Sequence, residues 1–588
     1  PSKPMPVSLI EGDSLLAVDI GAATTRAVLF DVVEGQYRFV AAGHSLSTAE
    51  APFKDVIEGV RNAITHLQNV TGRAFLDTDR DLVIPSQPNG AGVDAFVATL
   101  SAGPTLKAVT VGLLADVSLE SARRLTETIY ARVVDSIGLT DHRRPDEVID
   151  GLLALRPDVV VVTGGTDGGA SRSIQKMLEP IGLASYLMPA EKRPAVLYAG
   201  NQKMEEEVKS LLGTLTSSLH FSPNVRPSLE TEDLDPAARE LARLFIEVRK
   251  RQIKGVDTVA AWASGHILPT GYASGRMMRY LSRVFGSAKG ILSVDIGASA
   301  TLVAAGFKGK STLGVYPQFG LGENLPGLLN HTTLENILRW SPLDISVGVL
   351  RDYLYQKALY PSTIPGTRED QAISQAVARE CLHLAIQSAR RDFPANAASL
   401  NPRQLPLFDP ILAGGGALSD APTPGHSLLL LLDALQPVGV TTVILDQNNL
   451  LPILGAAAGR NSLLPVQVVG SGAFISVGTV VSPLVRTAYG AQILRARLIY
   501  EDGTEARMDL KFGALELLPL PSPQNARLIL QPTGHADVGF GPGRSGEVTA
   551  TGGALGVVFD GRGRPLDLPS DAVRRRELIK KWYWTVGG

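Results

Sequence analysis

The chain of 588 residues has a single cysteine, Cys381. An intramolecular disulfide is therefore excluded. So are a multi-cysteine zinc site and a self-contained iron–sulfur site. Charge is sparse and balanced: charged residues make up 19%, and 56 basic against 58 acidic side chains leave a net charge of −2. That balance offers no global attraction to nucleic acid or to an anionic membrane, and neither is expected as a partner. The nine histidines show no metal-ligand spacing, and His383 reads as a packed helix residue. No long apolar run is present. Leu428–Leu432 is stopped by Asp433, far short of the ~20 residues a membrane span needs. The first residues lack a charged n-region followed by an apolar h-region, so a soluble, cytoplasmic chain is expected. What is plentiful is turn and core: 59 glycines, 38 prolines and 44% hydrophobic residues. The length suggests about four domains of roughly 150 residues.

One pentapeptide occurs twice. Val-Asp-Ile-Gly-Ala stands at Val18–Ala22 and again at Val294–Ala298. Each copy closes an apolar run and enters a turn of small, hydroxyl-bearing residues, Ala23-Thr24-Thr25 in the first and Ser299-Ala300-Thr301 in the second. A buried strand ending in Asp and Gly is what a phosphate-gripping hairpin needs. The Asp can hold a hydrated Mg²⁺, and the Gly lets backbone N–H groups approach phosphate oxygens. Two copies imply two related halves closing on one nucleotide.

Around these copies the pattern alternates strands and helices. A strand at Arg26–Phe30, another at Tyr37–Ala42 and a helix from about Phe53 to Leu67 follow the first hairpin. An α/β insertion is expected at about 75–215. Its strands are expected at Ala108–Leu113, Val159–Thr163 and Ala195–Ala199, and its helices at Asp146–Leu155, Ser173–Leu178 and Glu205–Leu212. The second hairpin opens a further unit ending with strand Pro410–Leu412, the glycine turn Gly414-Gly415-Gly416, helix Ser427–Leu435 and strand Thr441–Leu445. Beyond about Asn461, runs such as Gln492–Tyr500 and Ala506–Lys511 are strands between turns. The expected domains are 1–290, 291–463 and an antiparallel β domain at 464–588 ending in a basic, aromatic tail.

The two hairpins, the glycine turn and the small-residue segment Gly455–Gly459 together resemble the ATPase superfamily of actin, the large heat-shock chaperones and the sugar kinases. Within it, the tracts Gly92–Ala98, Gly164–Gly169 and Ala199-Gly200-Asn201 are similar to the MutL-type proteins encoded beside glutamate mutase. These are unrelated to the mismatch-repair proteins of that name. The resemblance covers roughly residues 14–460. It implies an α/β fold of two ribonuclease-H-like domains with ATP and Mg²⁺ between them. It also implies that Asp19 and Asp295 act on the metal through water as the catalytic and metal-binding pair. Gly21, Thr24, Thr25 and Arg26 would grip phosphate from the first loop, and Gly297, Ser299 and Thr301 from the second. Gly414, Gly415 and Gly416 would make room for sugar and base, and Gly455–Gly459 would lie on a helix crossing another closely.

The second loop departs from the family pattern at Ala298, Ala300 and Leu302. A glycine, a threonine and a trailing acid are replaced there, which points to a slow nucleotide switch more than to a fast ATPase. The branch implies a chaperone-like, reactivating role toward a cobalamin-dependent mutase as protein client. Two other classes stay open: a small-molecule kinase of the same fold, and a non-hydrolysing structural or assembly protein. A homo-oligomer is also open. Gly164–Gly169 reads equally as an anion site at a helix N-terminus and as a tight turn with Asp167 as cap. Gly309-Lys310-Ser311 and Gly541–Gly546 match phosphate-loop letters without the context and are set aside.

Overall fold

A computed structural model describes residues 13–286 and 288–587. The N-terminal segment read above for a targeting signal lies largely outside them. Three strands open the chain: β1 (Leu15–Ile20), β2 (Thr24–Val33) and β3 (Gln36–Leu46) form an antiparallel meander. Helix α1 (Val56–Thr71) follows, capped by the Asp55 carboxylate, which accepts from the Ile57 N–H. Its buried stripe of Val56, Val60, Ile64 and Leu67 covers the sheet. Strand β4 (Ala95–Leu100) then pairs parallel to β1, with all six residues buried. A strand buried on both faces has no reason to alternate, hence its near-continuous apolar sequence.

The chain next leaves this sheet for a second, all-parallel one. Strands β5 (Leu106–Val111), β6 (Ala131–Ile137), β7 (Val159–Val162), β8 (Ala195–Tyr198) and β9 (Ser218–Phe221) assemble in the order β6-β5-β7-β8-β9. Crossover helices α2 (Glu120–Thr126), α3 (Pro145–Leu155), α4 (Ser171–Leu187) and α5 (Glu205–Leu212) connect them. This is the doubly wound order of flavodoxin-like sheets. Helix α6 (Asp235–Gln252) and helix α7 (Val256–Trp262) lead back to β10 (Ile267–Pro269), which pairs parallel to β4 and completes the first sheet as β10-β4-β1-β2-β3. Helix α8 (Thr270–Val284) closes the half.

The second half repeats this topology. Strands β11 (Gly290–Ile296), β12 (Thr301–Phe307) and β13 (Lys310–Tyr316) form the meander. After α9 (Leu334–Leu338), α10 (Val347–Leu359) and α11 (Arg368–Ala389) come β14 (Phe408–Gly414), α12 (Gly416–Ser419), α13 (Pro424–Leu435), β15 (Gly439–Leu445) and α14 (Leu450–Ala457). Here β14 pairs parallel to β11 and β15 parallel to β14, matching the order of the first sheet strand for strand. The helices that follow the fifth strands, α8 and α14, pack on each other. An added Cβ on Gly455 would lie 2.0 Å from the Ala273 carbonyl, so the crossing has no room for a side chain.

The C-terminal strands are joined to this half. Helix α15 (Leu463–Val469) reaches back to the first half, where the Gln467 amide oxygen accepts from the Tyr37 N–H. Strand β16 (Ile475–Ser482) then adds antiparallel to β15. Strands β17 (Gln492–Ile499), β18 (Glu505–Lys511), β19 (Leu515–Leu518), β20 (Asn525–Pro532), β21 (Gly546–Thr551) and β22 (Val557–Asp560) follow. Three of the C-terminal strands extend the second sheet, giving β13-β12-β11-β14-β15-β16-β22-β19. The other four make an antiparallel sheet, β18-β17-β20-β21. Its inner residues, such as Leu494, Leu498, Leu528 and Leu530, share a core with Val481 and Phe559 of the extended sheet. The tail forms α16 (Ala572–Thr585), which buries Ile579, Trp582 and Tyr583 in the core of the second half. Among the described residues, no helix is long and apolar enough to cross a membrane.

Candidate functional site

The duplicated hairpins face each other across a cleft of about 510 Å³ between the two halves. Asp19 ends β1 and Asp295 ends β11, so each carboxylate is carried on a buried, doubly paired strand. The turns after them are tight. The Gly21 N–H donates to the Thr24 carbonyl at 3.0 Å, and the Gly297 N–H to the Ala300 carbonyl at 3.1 Å. Gly21, Thr24, Arg26, Gly297, Ser299, Gly415 and Gly416 line the cleft together with the two aspartates. Arg26 is the register partner of Asp19 across the hairpin.

Three predicted residues sit elsewhere. Strand alternation turns Thr25 to the opposite face from Thr24 and Arg26, where it is buried near Gly59 of α1. Thr301 is fully buried and its hydroxyl donates to the Phe319 carbonyl at 2.7 Å, bracing the loop from behind. Gly414 ends β14 beside Asp295, and an added Cβ would stand 3.6 Å from the Asp295 carboxylate. Gly415 has φ +86, and a Cβ there would meet the Ile296 nitrogen at 2.5 Å and an Asp295 oxygen at 2.6 Å. Both the backbone angle and the space therefore demand glycine at this point.

The two aspartates are held differently. Asp19 accepts three hydrogen bonds: from the Thr99 hydroxyl at 2.6 Å, the Thr270 hydroxyl at 3.0 Å and the Asn449 amide at 2.8 Å. Thr99 is its register partner on β4 and Thr270 opens α8. Asn449 precedes α14 and reaches over from the other half, so Asp19 sits at a seam between the halves. Among the described residues, no such donor reaches Asp295. Burial raises its pKa to about 7, helped by the nearby charges of Asp19 and Asp446 and opposed by Arg26. Asp446 follows β15 and is likewise raised by burial, to about 6. It is partly stabilised by the N–H groups of Leu450 and Leu451 at the start of α14.

Asn449, Asp446, Thr99 and Thr270 were not among the residues picked from the sequence. Asp446 had a readable signal, since it ends a strand as Asp19 and Asp295 do. The other three are assembled from distant segments and carry no local mark. A further wall comes from Gln371, Ser374 and Gln375 on α11 and from Lys357 on α10, opposite Ala417 and Asp420.

The other glycine loop is Gly164–Gly169. The Asn201 side-chain Oδ1 accepts from the Gly168 and Lys203 N–H groups, and the Asn224 side-chain amide donates to the Gly165 carbonyl and the Asp167 carboxylate. Asp167 does not cap α4, and the turn at Gly164–Gly169 is held by Asn201 and Asn224 from neighbouring loops.

A charge-rich cleft between two halves of identical strand order, each contributing a strand-end aspartate and a hairpin turn, defines the actin-like ATPase fold. The chain belongs to the MutL protein family, which it matches over residues 15–471. It is 27% identical over 298 residues to Protein MutL of Clostridium tetanomorphum. That match covers 49% of this chain and 57% of the relative, so the chain spans little more than half of the relative's length. Among solved structures it is similar to nucleotide-free acetone carboxylase, at 12% identity and TM-score 0.30, covering 85% of this chain and 81% of that one. The ethanolamine utilization protein EutJ of Carboxydothermus hydrogenoformans matches at 12% identity and TM-score 0.26, covering 77% and 91%. A glycerol dehydratase reactivase matches at 11% and 0.29, covering 76% and 100%.

Proposed function

We propose that the cleft binds Mg-ATP and that the protein is a slow nucleotide switch acting on a protein client. The observation that carries this reading is the pairing of Asp19 and Asp295 across one cavity, with Gly415 pressed against Asp295 beneath it. A cation fits the residues present. Among the described residues no hydrogen-bond donor reaches Asp295, and its acidity is weakened by burial and then by the charges of Asp19 and Asp446, a negative charge that a dication relieves. Among the described residues no three His, Cys, Asp or Glu side chains are grouped to hold a metal directly. Asp19 and Asp295 would accordingly hold Mg²⁺ through its water shell. The ion would neutralise phosphate charge there. The tight hairpin turns supply N–H groups for phosphate oxygens, the Ser299 hydroxyl stands at the second turn, and Arg26 adds a guanidinium.

The insertion is the natural output of closure. Asp392, just beyond α11, accepts from Arg123 at 2.9 Å and from Arg124 at 2.8 Å, both on α2. Movement of the second half is thus transmitted to the five-stranded sheet. We assign the client as a cobalamin-dependent mutase on the strength of the family resemblance. Thermal-shift titration tests the nucleotide claim: Mg-ATP at 100 times its Kd should stabilise the protein by about 2.7 kcal/mol, and Asp19→Ala should abolish the shift. No shift at millimolar Mg-ATP would sink the reading. Capture from native lysate with and without ATP tests the client.

A further inference from the structure

A second cavity, of about 600 Å³, lies where α11, α13 and the C-terminal strands meet. Arg390, Arg403, Arg486 and Arg564 line it, with His383, and no carboxylate does. We propose that this pocket binds a small organic anion, a phosphate or carboxylate group carried on an apolar body.

Three observations converge on this. The first is uncompensated charge. Among the described residues, Arg390, Arg403 and Arg486 form no ion pair. Arg390 is used structurally, donating to the backbone carbonyls of Arg403 and Pro402 at the end of α11. Arg403 and Arg486 have no such duty and are exposed at the rim. The second is a buried surplus behind the pocket. Arg379, Arg562 and Arg564 share only two carboxylates, Asp433 and Asp560, and all five groups are buried. Arg564 is the member of that set that lines the cavity; its three nitrogens already donate to the Pro437 and Gly563 carbonyls and to Asp560, so it adds a buried positive neighbour rather than a free donor. The third is the wall chemistry. Ile386, Leu405, Leu484 and Val485 line the same space, which a bare inorganic ion would leave hydrated.

His383 is held at the wall, its Nε2 2.7 Å from the Gln387 side-chain amide and its Nδ1 3.2 Å from the Ala434 carbonyl. Cavities of this size suit small molecules more than protein segments. The pocket shares no lining residue with the nucleotide cleft, so the assignment of an anion here does not rest on nucleotide binding there.

Calorimetric titration of the full chain tests the proposal, with phenyl phosphate and phenylacetate as probes in magnesium-free buffer at low salt. At least one probe should saturate at or below millimolar concentration. The double variant Arg403→Ala/Arg486→Ala should weaken it by roughly tenfold or more, the effect of losing hydrogen bonds to a charged group. Both side chains are exposed and neither lines the cleft, so the variant should melt like wild type and keep its response to Mg-ATP. Tighter binding of one probe identifies the head group. The proposal is overturned if neither probe saturates, or if the double variant binds both as wild type does.

Discussion

At Asp295 a single carboxylate sets a pH dependence. Its pKa in the folded chain is raised to about 7 from an ordinary value of 3.8, by burial and by the charges of Asp19 and Asp446. The folded state therefore binds this proton more tightly than the unfolded state. Stability should fall as pH rises from about 4 to about 7 and stay level above, where the buried charge is fully developed. Asp295→Asn removes the charge and leaves the shape. In the absence of nucleotide the variant should melt several degrees higher than wild type at pH 8 and no higher at pH 4, read by thermal shift at both pH values. Mg-ATP should reverse the order at pH 8, because the cation favours the ionised wild-type group. A variant that melts like wild type at pH 8 would show that Asp295 is not strained by its neighbours.

The crossing of α8 and α14 governs how the halves meet. Gly455 lies against the Ala273 backbone, and the added methyl of Gly455→Ala would overlap it. Helix separation must then grow, at a cost of about 1–3 kcal/mol, measurable as a lowered urea midpoint. The crossing was legible in advance because Gly455-Ala456-Ala457-Ala458-Gly459 is a run of small residues. Both hairpins, β7, β8 and α5 were legible for a similar reason, since their periodicity or apolar run is local. Strands β6 and β9 were not. They are the edges of the inserted sheet, and their half-exposed residues, Asp135, Ser136 and His220 among them, break the apolar run that marks a central strand. Helix α4 outruns the expected Ser173–Leu178, continuing through Pro180 to Leu187. Four C-terminal strands form the expected antiparallel sheet; the other three continue the second sheet, with β16 parallel to β22, a tertiary fact with no local trace. The cleft shows the same division: the strand-end aspartates announce themselves, whereas Thr99, Thr270 and Asn449 meet at Asp19 only after the chain has folded.

Over the whole molecule, a buried ionic network ties the C-terminal strands and tail to the second half. Asp433 on α13 accepts from Arg379 at 2.8 Å and Arg562 at 2.7 Å, and Arg379 also donates to the Tyr583 hydroxyl of α16. Removing Asp433 leaves the buried Arg379 guanidinium without an ion-pair partner and Arg562 with Asp560 alone, so Asp433→Ala should cost about 3–5 kcal/mol, read by chemical denaturation. Asp560 is held below the ordinary carboxylate range, against its burial, by Arg562 and Arg564. Its contribution is present above about pH 4 and is lost as pH falls toward the folded value. Helix α11 joins all these places. Its first turns line the nucleotide cleft, Arg379 enters the network, His383 and Ile386 line the anion pocket, and Asp392 beyond its end grips the insertion. Its 22 residues make a rod of about 33 Å. Any coupling between two ligands along that rod is reciprocal. Whatever factor Mg-ATP imposes on the affinity for phenyl phosphate, phenyl phosphate must impose the same factor on Mg-ATP.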